Sequence, residues 1–332
     1  MINSGGINSG GIDGGARGDG GADSGGRVDS GARVGTHVRT NRARWNEISD
    51  EYQRLNGPQI RRQAFTGDIS WGLWEIPESR LRVLGEVDGR DVLEMGCGGG
   101  QWSTALVRRG ARAVGLDLSE RQLSHSRRLA ADTGLGFPLV QASAEAVPFA
   151  EASFDIVFAD HGAFSFADPM RAIPEAARVL RPGGLLAFSH VSPIYEVTVR
   201  PGRDSPGTRL IHDYFGLRLV AEADGLVSMN LPYGAWIRLF RDSGLIVEDL
   251  LEPRPPSPVP AAVQSDPVFD GQAVFDGQAV FDGQAVFDGQ AVFDGQAVFD
   301  GQAGEASGGR DDEAWARRWP SECIWRLRKP VR

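Results

Sequence analysis

The densest chemistry in the chain is carried by Glu94, Gly96, Gly98 and Gly100, an acid followed by glycine at alternate positions, with Cys97 and Gly99 between. Glycine has no Cβ and accepts φ > 0, so backbone threaded through such a run can approach a ligand closely. Val92 and Leu93 before it read as the end of a short apolar strand. Trp102 to Arg109 after it read as a helix, whose amino end presents N–H groups and a positive dipole to whatever is bound. A second acid, Asp117, closes the next apolar run, Ala113 to Leu116, at about the 20-residue spacing at which a carboxylate reaches a ribose. The pair points to a nucleotide-like ligand. A dinucleotide fingerprint needs a small residue at the sixth position counted from Gly96, where this chain has Gln101, so an NAD-dependent oxidoreductase is disfavoured. Two histidines are candidates for a general base, whose ordinary pKa near neutrality suits proton removal. His161 follows Asp160 just past the apolar run Phe154 to Ala159, and His190 ends the run after Gly183-Gly184. Cys97 reads as a small residue that fits the turn, not as a nucleophile.

The elements that must hold these residues alternate strand and helix from 91 to 190, with Ser119 and Gln122 forming a capping box at one helix start. In this stretch four segments occur in an order that resembles the class I S-adenosylmethionine (SAM) dependent methyltransferases, in their type 11-like small-molecule group. They are the glycine turn at 94–100, Asp117, the stretch Gln141 to Phe149 with Ser153 to Val157, and the junction Arg178-Val179-Leu180-Arg181-Pro182-Gly183-Gly184. The resemblance implies an α/β, Rossmann-like fold: a mostly parallel seven-stranded sheet with an antiparallel edge strand and helices on both faces. It implies SAM as methyl donor, bound by Glu94, Gly96, Cys97, Gly98, Gly100, Trp102, Asp117, Leu118, Ser143, Ala144, Glu145, Asp160 and Tyr52. Leu118 would lie beside the adenine. Ser143 stands where the family has Asp, so the adenine edge would rest on Ala144 backbone and the Glu145 side chain. His161, and after it His190, would serve as base if the acceptor must lose a proton. No metal is expected.

The length of 332 residues leaves ample material for a core. A net charge of −9 disfavours a nucleic-acid partner. The apolar runs are strand-length, so no membrane span is expected, and the amino end lacks the pattern of a secretory signal. Two cysteines argue against a disulfide framework and suit a cytoplasmic enzyme. The expected partner is a small-molecule acceptor, and the expected assembly a monomer or homodimer. The alternatives are a non-catalytic SAM-binding protein and a methyltransferase acting on RNA or protein.

Along the chain, residues 1–36 are Gly-rich near-repeats with too little apolar surface to offset ordering, and read as a disordered tail. Residues 37–90, bearing Trp45, Tyr52, Trp71 and Trp74, read as a helical lead-in over the donor site, with a helix near Pro77 to Leu84. Residues 91–253 form the SAM-binding core, within which 195–244 is expected to shape the acceptor site. Residues 254–313 are proline-rich and then carry six copies of Val-Phe-Asp-Gly-Gln-Ala over 268–303, read as a loop insertion that is mobile and off the active site. Residues 314–332 should return as a strand, Glu322 to Arg328, pairing with a strand at 245–251.

Overall fold

Apolar runs bounded by glycine turns become the strands of one sheet in the structure, a computed structural model that describes residues 36–199, 205–221, 225–256 and 313–331. The expected tail over 1–35 and the repeats over 268–303 lie outside the described residues. In chain order the lead-in forms α1 (His37–Thr66), a small hairpin of β1 (Ser70–Trp71) and β2 (Ile76–Pro77), and α2 (Glu78–Leu81). Then follow β3 (Asp91–Met95), α3 (Gln101–Arg108), β4 (Arg112–Asp117), α4 (Glu120–Thr133), β5 (Leu139–Gln141) and β6 (Phe154–Asp160). The remainder comprises α5 (Ala163–Phe166), α6 (Pro169–Val179), β7 (Leu180–Val191), α7 (Pro193–Glu196), β8 (Val220–Ala221), β9 (Val227–Ser228), α8 (Tyr233–Asp242), β10 (Ile246–Leu251) and β11 (Glu322–Arg328).

Seven strands lie in the order β10-β11-β7-β6-β3-β4-β5. The run from β7 to β5 is parallel throughout. β11 is antiparallel to both of its neighbours. The expected antiparallel edge strand is therefore second from the edge, and β10 takes the edge itself. Burial explains the placement: Ile324, Trp325 and Leu327 of β11 are essentially inaccessible, whereas Ile246 and Val247 of β10 stay exposed. An edge position would have left the first set half-covered.

Alternation along the strands divides the core into two faces. Leu93, Met95, Val157 and Phe188 join Trp236, Phe240 and Trp325 on one side. Val92, Ile156, Phe158 and Leu185 join Trp71, Trp102 and Ile324 on the other. Central parallel strands are covered on both faces, which is why β6 reads as almost continuous apolar sequence. The helix expected near 77–84 closes after one turn because the Glu78 carboxylate takes the N–H groups of Val83 and Leu84 and the Trp71 indole N–H. α1 ends at Gly67, whose left-handed φ of 79° lets its N–H return to the Gln63 carbonyl.

Candidate active site

Strands β3, β4 and β6 deliver their carboxyl ends to one cleft, the place where open α/β sheets bind ligands. β3 delivers Glu94, β4 delivers Asp117 and β6 delivers Asp160, and all three line the cleft. The glycine turn between β3 and α3 makes this possible. A Cβ on Gly96 would sit 2.4 Å from the Ala163 backbone nitrogen, and one on Gly100 would sit 2.2 Å from Ser126 Oγ. Both residues also have φ near +80°, so the turn admits glycine on two counts.

Each acid is oriented by donors. Glu94 accepts from the Ser103 backbone N–H at 2.9 Å and from its hydroxyl at 2.5 Å, which caps α3 from below. Asp117 accepts from the N–H of Gly98 and of Ser119, both at 2.8 Å. Asp160 accepts from the Gly72 N–H, the Ser189 hydroxyl and the Trp102 indole. Burial pushes the Glu94 carboxyl up to about 8 despite those bonds, with the Asp160 and Asp117 charges adding to the shift. Burial also raises Asp117 and Asp160 above the usual carboxylate range. Opposite them, Tyr52 of α1 is pushed up to about 12 by burial and then by the charges of Asp160 and Asp117. Among the described residues neither lysine nor arginine lines the cleft. A cluster of carboxylates without a cation to match disfavours a diphosphate and favours a ligand that is itself cationic.

The sequence-derived donor set converges: Glu94, Gly96, Cys97, Gly98, Trp102, Asp117, Leu118, Ser143, Ala144, Glu145, Asp160 and Tyr52 all border this cleft. Gly100 caps α3 behind the turn and is not part of the lining. Burial raises the Cys97 thiol well above its ordinary range, so it is a protonated, packed side chain. Glu145 differs from expectation. Its carboxylate holds the Asp168 N–H at 2.9 Å and the His37 ring, with Arg171 at 3.5 Å, and so ties the start of α1 to the core. That use competes with the adenine contact expected of it.

The two histidines separate completely. His161 sits on the cleft wall with φ +44°, its Nε2 2.8 Å from Glu322 Oε2. His190 is fully buried, stacked on Phe188 and beside Trp236, with Cys323 Sγ 3.6 Å from its Nε2. Burial pushes His190 down to about 3, so it is a neutral core residue, and it lines neither this cleft nor the cavity beside it. Its expected catalytic role is withdrawn. The strand register gives the reason: Ser189 points to Asp160, so its neighbour His190 must point to the opposite face.

Several lining residues were not among the expected donor contacts. Trp45, Asn41 and Val38 come from α1, Gln101 from the first turn of α3, and Phe166 from α5. Glu322, the partner of His161, stands at the start of β11. An antiparallel strand begins where its parallel neighbour ends, which places that residue behind the cleft wall, against His161. Among the described residues of 195–244, the region expected to shape the acceptor side, none lines either cavity. That segment instead buries Trp236 and Phe240 in the core.

Residues 93–188 match the methyltransferase domain family. Methyltransferase GfsG of Streptomyces halstedii is 32% identical over 187 residues, 51% of this chain and 64% of the relative. A demethylmenaquinone methyltransferase of Thermus thermophilus is 30% identical over 197 residues, 58% of this chain and 79% of the relative. The chain spans 52–64% of the length of the curated relatives it matches first. A solved S-adenosylmethionine-dependent methyltransferase of Mesorhizobium loti superposes with a TM-score of 0.52 at 22% identity, over 75% of this chain and 95% of the other, which establishes the common fold. The glycine turn, the acid at the end of β4 and the similarity of sequence together make this chain a member of the class I S-adenosylmethionine-dependent methyltransferase family.

Proposed function

We propose that this protein transfers the methyl group of SAM to a small-molecule acceptor. The observation that carries the reading is the cleft: Glu94, Asp117 and Asp160 converge on it, a glycine turn floors it, and no lysine or arginine lines it. SAM supplies an electrophilic methyl on a sulfonium that is already a good leaving group. The residues present suit such a ligand. In this reading Asp117 takes ribose hydroxyls, Leu118 and Ala144 border the base, and the acids Glu94 and Asp160 face the ligand's positive charge, which their presence in the lining supports. Tyr52 and Trp45 cover the cleft from α1 and exclude water. The chain's own contribution to rate is then alignment, with a base added where the acceptor carries a proton.

Relatives named for ubiquinone biosynthesis and for demethylmenaquinone, together with the net charge of −9, favour a small acceptor over a nucleic acid. Two free, buried cysteines suit a cytoplasmic setting. Among the described residues no helix is long and apolar enough to cross a membrane. Calorimetric titration with SAM, S-adenosylhomocysteine and NAD tests the reading. Micromolar binding of the first two with none of the third is expected; absence of SAM binding overturns it.

A further inference from the structure

A second cavity, of about 160 Å³, adjoins the donor cleft. The two share Trp45, Tyr52, Gln101, Asp160 and His161. The rest of the second wall comes from one face of α1, with Asn56, Gln59 and Gln63 on neighbouring turns, and from Ser70 and Leu73 of the hairpin. Glu75 at its rim pairs with Arg62, and neither lysine nor arginine lines the space. Carboxamides and a hydroxyl dominate, against two aromatic rings.

The shared wall also holds two buried polar atoms without a hydrogen-bond partner, Gln101 Oε1 and His161 Nδ1. Buried polar atoms are ordinarily paired, and these two can accept a hydrogen bond. His161 is held with care. Its left-handed φ of +44° is uncommon outside glycine, and its backbone N–H bonds the Ser189 hydroxyl at 2.9 Å. Its Nε2 lies 2.8 Å from the buried carboxylate of Glu322, which also takes the Leu73 N–H at 2.8 Å. An N–H on Nε2 directed at that carboxylate leaves the imidazole lone pair on Nδ1.

We propose that this second cavity receives the acceptor, a compact neutral or cationic molecule presenting an O–H or N–H group, and that His161, positioned by Glu322, takes its proton. The proposal rests on the donor reading of the adjoining cleft. In the step, the acceptor's oxygen or nitrogen forms a bond to the methyl carbon as the S–C bond breaks and its electron pair passes to sulfur. The acceptor's proton passes to Nδ1, and the resulting imidazolium is balanced by the Glu322 carboxylate until it returns the proton to water. Anionic acceptors are disfavoured because no cation lines the cavity. Long alkyl chains are disfavoured because polar side chains dominate its wall, against the aliphatic Ile60 and Leu73.

A matched series tests the class: 3,4-dihydroxybenzyl alcohol, tyramine, 3,4-dihydroxybenzoate and decylhydroquinone, each titrated against protein saturated with S-adenosylhomocysteine. The first two are expected to bind at least tenfold more tightly than the last two, and Gln63→Leu to weaken them. Equal or tighter binding of the benzoate or the decyl compound, or binding by none of the four, overturns the acceptor assignment. With whichever probe is methylated, Glu322→Gln and His161→Asn are expected to lower kcat tenfold or more at unchanged KM for SAM, and Glu322→Asp to recover part of the loss. Asparagine tolerates the backbone of position 161. Unchanged kcat in either variant removes the proton-transfer pair. SAM affinity and thermal midpoint, measured on the same samples, separate misfolding and failure of the donor cleft from failure of this proposal.

Discussion

The two walls of the donor cleft are built on opposite principles. On the sheet side, β6 buries Phe154, Ile156, Val157, Phe158 and Ala159, all apolar, between two faces of packed side chains. On the cap side, the thirty residues of α1 bury only His37, Asn41, Ser49, Ile60, Gln63 and Ala64, four of them polar. The helix is held by pairs such as Gln53 with Gln122, Ser119 with Asn46, and Arg121 and His125 with Asp50. Apolar burial is non-directional and hard to undo locally, whereas polar pairs near the surface exchange with water at little net cost. The lesson is that the wall carrying Glu94, Asp117 and Asp160 is fixed, while the wall carrying Trp45 and Tyr52 is the one able to yield. Hydrogen exchange should show α1 amides opening well below the free energy needed for β3 and β6.

The largest test strikes the fixed wall. Trp102 packs against Trp71 at 4.8 Å and Phe158 at 5.3 Å, so Trp102→Ala should cost about 3–5 kcal/mol in a denaturant titration. A smaller loss would mean that the sheet side is looser than its packing implies. Next comes Glu94→Gln, titrated above pH 8 where the carboxyl is ionised, which keeps the shape but removes the charge. A charge-assisted contact of about 1.5–3 kcal/mol predicts SAM binding weakened about 10- to 100-fold by calorimetry.

The same variant carries a pH signature. Glu94 is held at about 8 in the folded protein against its ordinary 4.5. The native state therefore binds the proton more tightly than the unfolded chain, and Glu94's contribution to stability is lost as pH rises through that window. Glu94→Gln should flatten this part of the profile, and an unaltered profile between pH 5 and 8 would contradict the shift.

On the yielding wall, Asn41 donates to the carbonyls of Phe166 and Val227 and accepts the Val227 N–H. Asn41→Ala strands those groups and should cost about 1–3 kcal/mol, read as faster exchange in α1 with the β3 and β6 amides unaffected. The smallest effect is expected at Asp50. Its partners Arg121 and His125 lie on the surface, and Asp50→Asn should leave the thermal midpoint within the scatter of repeated scans.

Legibility in the sequence follows the same division. The fixed wall was readable because its determinants are local: Glu94, the glycines and Asp117 fall within one strand-turn-helix-strand unit, so their spacing carries the geometry. The yielding wall was legible only in outline, as a lead-in over the donor site carrying Tyr52. Trp45 and Asn41 reach the cleft only because α1 crosses α3 and α4, and spacing within α1 does not encode that crossing. Glu322 lies 161 residues from His161 and meets it through strand order alone. His190 was misread for a simpler reason, since the two-residue period of β7 puts Ser189 and not His190 on the side of Asp160. The pairing of 246–251 with 322–328 was legible because both are short apolar-bearing runs at strand length, although 322–328 pairs with β7 on its other side as well.

The insertion of β11 between β7 and β10 has a consequence for how the protein is made. Until residues 322–328 leave the ribosome, β7, twelve residues long and lined by Leu185, Leu186 and Phe188, has no neighbour on its outer side, and β10 has no partner in the sheet at all. At the usual pace of synthesis the wait after β7 is completed lasts on the order of ten seconds. For that interval the nascent chain offers an open strand edge to any other chain being translated nearby, and the arrival of one seven-residue strand closes that edge and delivers Glu322 to His161 together.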